Sequence, residues 1–300
     1  MSDRFKAALT GISGILVTPY DGDGEIAPAR LAPVIDKVIE AGVHMPVVNG
    51  NTGEFYALTI DEAVAMVHAV VELVGERAPV LGGVGRGVRD ACRLAAESKK
   101  AGAAGLMVHQ PPDPFVSPRG TVDYVKRVAE AGDGTPLVLY MRNDAIGLDT
   151  IAELCSIDGV KGVKWATPNA LRLSEAIEAS PDDIVWVGGL AEVWAPAFYA
   201  AGARGFTSGL INVWPEHSVA IHTALEAGDY ATARRLISAM KEFEIIRAEE
   251  LNGTNVTGVK SALIALGIDC GPTRPPSAWP LTARQAGQLD AFLKRNGLIG

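Results

Sequence analysis

The stretch Ala101-Gly102-Ala103-Ala104-Gly105-Leu106-Met107-Val108 closes one pattern and opens another. Before it, Val88–Lys100 carries apolar residues three and four apart, the period of an amphipathic helix. Within it, Gly105–Val108 is a short apolar run of strand length. Gly102 stands where a helix commonly stops in a left-handed turn. The same punctuation returns at Ala41-Gly42-Val43 and at Ala201-Gly202-Ala203. The first two copies are separated by two βα units of about 30 residues each, a usual size for that unit.

Outward from this repeat, the alternation continues along most of the chain. Candidate strands are Gly14–Thr18, Val43–Val48, Val80–Gly83, Gly105–Val108, Leu137–Tyr140, Gly159–Lys164, Ile184–Val187 and Gly205–Thr207. Helical spacing fills the gaps, as in Arg30–Glu40, Ile60–Val74 and Val122–Ala131. Eight strands, each followed by a helix candidate, predict an α/β fold of the (β/α)8 TIM-barrel type, since parallel strands need helical crossovers. A doubly wound open sheet uses the same alternation and stays open at this point. After Ala227 the strand signals cease. Tyr230–Glu250 and Asn255–Leu266 read as helices, Gly271–Pro280 as a proline-rich loop, and Thr282–Lys294 as a last helix with Thr282 as its N-cap. The expected organisation is a barrel over residues 1–227 and a C-terminal helical extension over 228–300.

Composition narrows the function. The 300 residues are 48% apolar and 21% charged, enough for a sizeable core. A formal charge of −8 argues against nonspecific binding to nucleic acid or an anionic membrane. No apolar run approaches transmembrane length, and Asp3, Arg4 and Lys6 are not followed by a signal-peptide pattern. Cys92, Cys155 and Cys270 are too few and too scattered for a disulfide framework or a zinc site. A soluble, cytoplasmic protein is the expectation.

In a barrel, the site is built where the strands end. Lys164 closes the sixth strand, and alternation places Val160, Gly162 and Lys164 on one face with Lys161, Val163 and Trp165 on the other. A lysine desolvated there becomes a neutral amine able to attack a carbonyl. Alternatively, its stem packs while its ammonium reaches water above the barrel. Gly50-Asn51-Thr52-Gly53 offers backbone N–H groups for a carboxylate, with Thr52 adding a hydroxyl; in isolation it also reads as an ordinary turn. Tyr140, at the end of the fifth strand, reads in isolation as core packing with a satisfied hydroxyl. Gly82-Gly83-Val84-Gly85-Arg86-Gly87 fails the dinucleotide spacing and reads as a close-packed barrel loop.

Taken in order, Gly14-Ile15-Leu16-Val17-Thr18-Pro19, Gly50–Glu54, Tyr140 and Gly162-Val163-Lys164 resemble the dihydrodipicolinate synthase/N-acetylneuraminate lyase superfamily. The resemblance implies a barrel enzyme in which Lys164 forms the Schiff base, Tyr140 relays protons and Asn51 and Thr52 bind a carboxylate. In further detail, Arg142-Asn143, Gly188-Gly189-Leu190, Phe206-Thr207-Ser208 and the tail Gly271-Pro272-Thr273-Arg274-Pro275-Pro276 look like the 5-dehydro-4-deoxyglucarate dehydratase branch. The chain also departs from the pattern. Arg142 is only two residues beyond Tyr140, and His109-Gln110-Pro111-Pro112 replaces the tyrosine pair of synthases. Both departures argue against dihydrodipicolinate synthesis. Trp165 follows the lysine where the dehydratase branch has an acid, raising the expectation of a reshaped pocket.

The expected protein is thus a lyase using a Lys164 imine on a 2-oxo acid, with a pyruvate-type aldolase or a catalytically silent metabolite-binding barrel as alternatives. Catalytic candidates are Lys164, Tyr140 and Thr52. Substrate-binding candidates are Gly50, Asn51, Gly53, Gly189, Ser208 and Asn212, the last two facing distal hydroxyls. No cofactor or metal is called for, because the imine itself is the electrophile. The family implies a homotetramer.

Overall fold

The computed structural model describes residues 3–300. The chain runs α1 (Asp3–Leu9), β1 (Ile12–Ile15), α2 (Ala32–Glu40), β2 (Met45–Val48), α3 (Ile60–Val74), β3 (Leu81–Val84) and α4 (Val88–Ala101). It continues through β4 (Gly105–His109), α5 (Pro118–Gly132), β5 (Leu137–Met141), α6 (Leu148–Cys155), β6 (Val160–Trp165) and α7 (Ala170–Glu178). Then come β7 (Val185–Gly188), α8 (Ala191–Ala200), β8 (Phe206–Ser208) and α9 (Pro215–Glu226). Three helices end the chain: α10 (Tyr230–Asn252), α11 (Asn255–Ala265) and α12 (Ala283–Arg295). All neighbouring strands are parallel, and β1 pairs with both β2 and β8, so the sheet closes into an eight-stranded barrel. The open-sheet alternative is excluded.

The glycines that punctuate the repeat do what the spacing requires. Gly42, Gly102 and Gly202 have φ of 88, 91 and 110°, a region closed to most side chains. The first strand is displaced from its expected place: it ends at Ile15, and the Val17 amide bonds to the Asn212 side chain rather than to a strand neighbour. Thr282 caps α12 in a capping box with Gln285. Among the described residues, no helix is long and apolar enough to cross a membrane.

Helix α1 was not anticipated, and it closes the barrel floor. Phe5 and Leu9 join Met45, Val47, Leu81, Met107 and Val138 in an inner cluster separate from the layer between strands and helices. Two strand glycines make the seat. A Cβ on Gly105 would collide with the Phe5 ring, and one on Gly162 would lie 2.7 Å from Leu9 Cδ2. The sequence disguises this role because seven residues are too few to show a period.

The C-terminal helices are fastened to the barrel by buried charge. Lys260 of α11 meets Glu54 at 2.7 Å with both side chains inaccessible, and Glu54 Oε2 also accepts the Arg274 amide at 2.8 Å. Arg274 forms a two-point contact with Glu62, which holds that carboxyl down at about 2. The Tyr20 ring receives both cations, with Lys260 Nζ 4.2 Å and Arg274 Cζ 4.3 Å from its centroid. Removing one partner of such a pair strands the other's charge. Lys260→Met should therefore cost about 3–5 kcal/mol, while the double variant Glu54→Gln/Lys260→Met should regain much of that loss. Urea denaturation checks this; a near-neutral single variant would show that the pair does not fasten the extension.

Candidate active site

Strands β5 and β6 bring the central pair together. Tyr140 and Lys164 are register partners, and Lys164 Nζ sits 3.9 Å from the Tyr140 ring centroid. The expected alternation holds only from Gly162 onward. A register shift between Leu137 and Val138 sends Val160 to the outer layer, while Gly162 seats α1 and Lys164 faces the cavity. Trp165 belongs to that outer layer as well. Its indole donates to the Asn169 carbonyl at 3.2 Å, so it does not reshape the pocket by lining it.

Lys164 is 4% exposed, and no carboxylate pairs with it among the described residues. Burial, reinforced by the Arg142 charge, lowers its amine to about 7. At 4% exposure the Lys164 side chain faces the cavity and does not extend into open water above the barrel. Burial raises the neighbouring Tyr140 phenol, which is therefore neutral near pH 7. Its oxygen accepts a hydrogen bond from Asn51 Nδ2 at 3.0 Å. His109 also packs on the Tyr140 ring, edge-on at 5.2 Å between centroids. His109 is buried, is pushed down to about 3 and donates from Nε2 to the Asn49 carbonyl, so it is a neutral packing group.

The Gly50–Glu54 turn is a 3-10 turn that uses part of its own cradle. Gly53 N and Glu54 N bond back to Gly50 O and Asn51 O, leaving the amides of Asn51 and Thr52 unclaimed among the described residues. Asn51 and Thr52 line the cavity. Gly50 and Gly53 stand behind it, where a Cβ would lie 2.5 Å from Ile15 Cγ2 or 2.9 Å from Leu16 O. Their work is close packing of the turn against the end of β1 and the residue that follows it.

On the opposite wall, Gly189 and Ser208 line the cavity. Gly189 donates to Trp165 O at 2.6 Å, and Ser208 Oγ donates to Glu192 Oε1 at 2.6 Å. Asn212 corrects the expectation of a distal contact. Its Oδ1 accepts Val17 N while Nδ2 donates to Ile15 O and Gly209 O, so both ends of its amide tie backbone and it lies outside the cavity.

Sequence reasoning missed two contributors. Arg247 of α10 is 4% exposed; it donates to Asn255 Oδ1 at 2.9 Å, contacts Glu244 and reaches Thr52 Oγ1 at 3.5 Å. Nothing in its helical, charge-rich surroundings marks it as buried. Glu192 did leave a signal, being the only charged residue between Asp183 and Arg204. Arg142, out of register with the synthase arginine but part of the dehydratase-like Arg142-Asn143 pair, also lines the cavity. The cavity, open to solvent at the barrel mouth, has a volume of about 510 Å³. A larger groove of about 640 Å³, lined by Lys126, Glu130, Glu153 and Asp158, lies at the opposite end of the strands and holds none of this chemistry.

The fold is thus a closed (β/α)8 barrel in which β5 and β6 set a phenol and a desolvated lysine side by side near their C-terminal ends. The chain belongs to the dihydrodipicolinate synthetase family, whose model matches residues 8–296. It is 33% identical to a probable 5-dehydro-4-deoxyglucarate dehydratase 1 of Streptomyces coelicolor, over 99% of this chain and 97% of that protein. It is 31% identical to a 4-hydroxy-tetrahydrodipicolinate synthase of a Psychrobacter species, with both chains covered in full. Among solved structures, a dihydrodipicolinate synthase from Oceanobacillus iheyensis superposes with a TM-score of 0.93 at 38% identity, covering 98% of each chain.

The depressed lysine makes a prediction about stability. Its pKa falls from 10.5 in the unfolded chain to about 7 in the fold, so between those values the unfolded state binds the extra proton. The Lys164 contribution to stability therefore rises with pH from about 7 to about 10.5 and is level outside that window. Lys164→Met should be more stable than the parent at pH 7 and should lack this rise. Parallel stability–pH curves for the two proteins would contradict the assignment.

Proposed function

We propose that the protein is a Schiff-base lyase that dehydrates a 2-oxo-3-deoxy sugar acid of the 5-dehydro-4-deoxyglucarate type. The observation that carries this reading is Lys164, a buried amine without a counter-charge, facing a cavity beside a neutral phenol. The neutral amine attacks the 2-oxo carbon, and Tyr140 passes a proton to the carbinolamine oxygen so that water leaves and an imine forms. The free amides of Asn51 and Thr52 bind the adjacent carboxylate. The protonated imine then acidifies the neighbouring C3, and the resulting enamine expels the C4 hydroxyl. Carbon dioxide follows where the substrate carries a suitably placed carboxylate.

A second reading, aldol cleavage or condensation with pyruvate, shares the imine. Arg142 in the cavity is compatible with both, because that cation suits the carboxylate of a second substrate as well as the distal carboxylate of a sugar diacid.

Borohydride reduction with a panel of 2-oxo acids, followed by mass measurement and peptide mapping, tests the proposal. One ligand mass on Lys164 is expected. Labelling elsewhere, such as Lys161, or none with any 2-oxo acid would overturn it. Product analysis of the acids that are trapped separates dehydration from aldol chemistry.

Tyr140→Phe keeps the ring and removes the hydroxyl. Turnover should fall by about 10²–10⁴-fold with little change in melting temperature, while slow imine trapping persists. A near-normal rate would remove Tyr140 from the proton path.

A further inference from the structure

Glu192 is a carboxyl for which imine formation has no use. It lies in the first turn of α8 with 0% of its surface exposed. Its Oε1 is 2.6 Å from both Ser208 Oγ and Ser218 Oγ, and those two hydroxyls are 3.2 Å apart. Its Oε2 is buried without a hydrogen-bond partner. Among the described residues, no lysine or arginine pairs with it; Arg247, on the neighbouring α10, is engaged by Glu244 and Asn255. A carboxylate with a bare buried oxygen and no cation is costly to keep ionised. Burial, with the Glu244 charge adding to it and the two serine hydroxyls opposing it, pushes Glu192 up to about 7. Of the two serines, Ser208 lines the cavity and Ser218 stands behind it.

We propose that Glu192 and Ser208 form a proton wire into the cavity that protonates the departing hydroxyl of the sugar acid. This rests on the dehydratase reading above. With the carboxyl protonated, the 2.6 Å contact reverses, so that Glu192 Oε1–H donates to Ser208 Oγ and Ser208 O–H turns toward the substrate. Ser218 continues to donate to Oε1. When the enamine collapses, its nitrogen lone pair re-forms the iminium, the C2=C3 electrons move to C3=C4, and the C4–O bond breaks toward oxygen. That oxygen takes the Ser208 proton as Ser208 takes the Glu192 proton. The step yields water, a conjugated iminium and the Glu192 carboxylate. The proton removed earlier from C3 restores the acid through solvent before the next turnover.

The same hydrogen bonds also staple α8 to β8 and α9, and an amide can serve as that staple. Glu192→Gln therefore separates the two roles, with Ser208→Ala as the second variant. Each is compared with the parent for borohydride trapping, for dehydration of a 2-oxo-3-deoxy sugar acid, and for elimination from the analogue carrying fluorine at C4. Fluoride departs without needing a proton. Glu192→Gln should trap substrate as the parent does, lose about 10²-fold or more in dehydration, and eliminate fluoride at close to the parental rate; in Ser208→Ala dehydration should fall far more than fluoride elimination does. Parental dehydration by Glu192→Gln, or equal losses on both substrates, would overturn the wire and leave the imine chemistry standing. Absence of trapping in the parent itself would overturn the dehydratase reading and the wire together.

Discussion

The site depends on one constraint, an amine held in the barrel mouth without a counter-charge. Water would keep Lys164 protonated, and a carboxylate in contact would do so more firmly. The fold supplies neither. Lys164 is 4% exposed and faces an aromatic ring, and the other cation felt there, Arg142, adds to the destabilisation of its ammonium. The carboxylates near the cavity are occupied elsewhere: Glu244 by Arg247, Glu54 by Lys260, and Glu192 by two serines. Keeping acids away from the lysine is as much a part of the design as the lysine itself.

That arrangement ties the last helices to the chemistry. Glu54 belongs to the same short turn as Asn51 and Thr52, and its buried partner Lys260 comes from α11. Arg247 of α10 reaches Thr52 from above, and Gly209 at the end of β8 must lack a side chain for that guanidinium to fit. Just beyond, the regular helix breaks at Glu249, and Glu250, Leu251 and Asn252 take left-handed φ of 51, 59 and 69°. Asn252 and Asn255 thereby come to line the cavity, so the mouth is finished by residues that follow the last strand.

Strand and helix order was legible because glycine stops, apolar periods and unit lengths all agree, as at Gly42 and Gly102. Lys164 and Tyr140 were legible because a strand end is a fixed place in a barrel. Asn212 was misplaced for an instructive reason. A polar residue shortly after a strand end points to the site only if backbone does not claim it first, and here Ile15, Val17 and Gly209 all do. Helix α1 was too short to show a period, and Arg247 reads like any solvated helical arginine until α10 is laid across the mouth. Long-range burial of this kind has no local signature.

The most direct test is the titration of the Lys164 amine itself. Isotope-labelled lysine, with Lys164→Met assigning the resonance, would let its ionisation be followed by NMR in the free protein. An apparent pKa near 7 would support a desolvated, unpaired nucleophile, whereas a value near the ordinary 10.5 would contradict the account at its base.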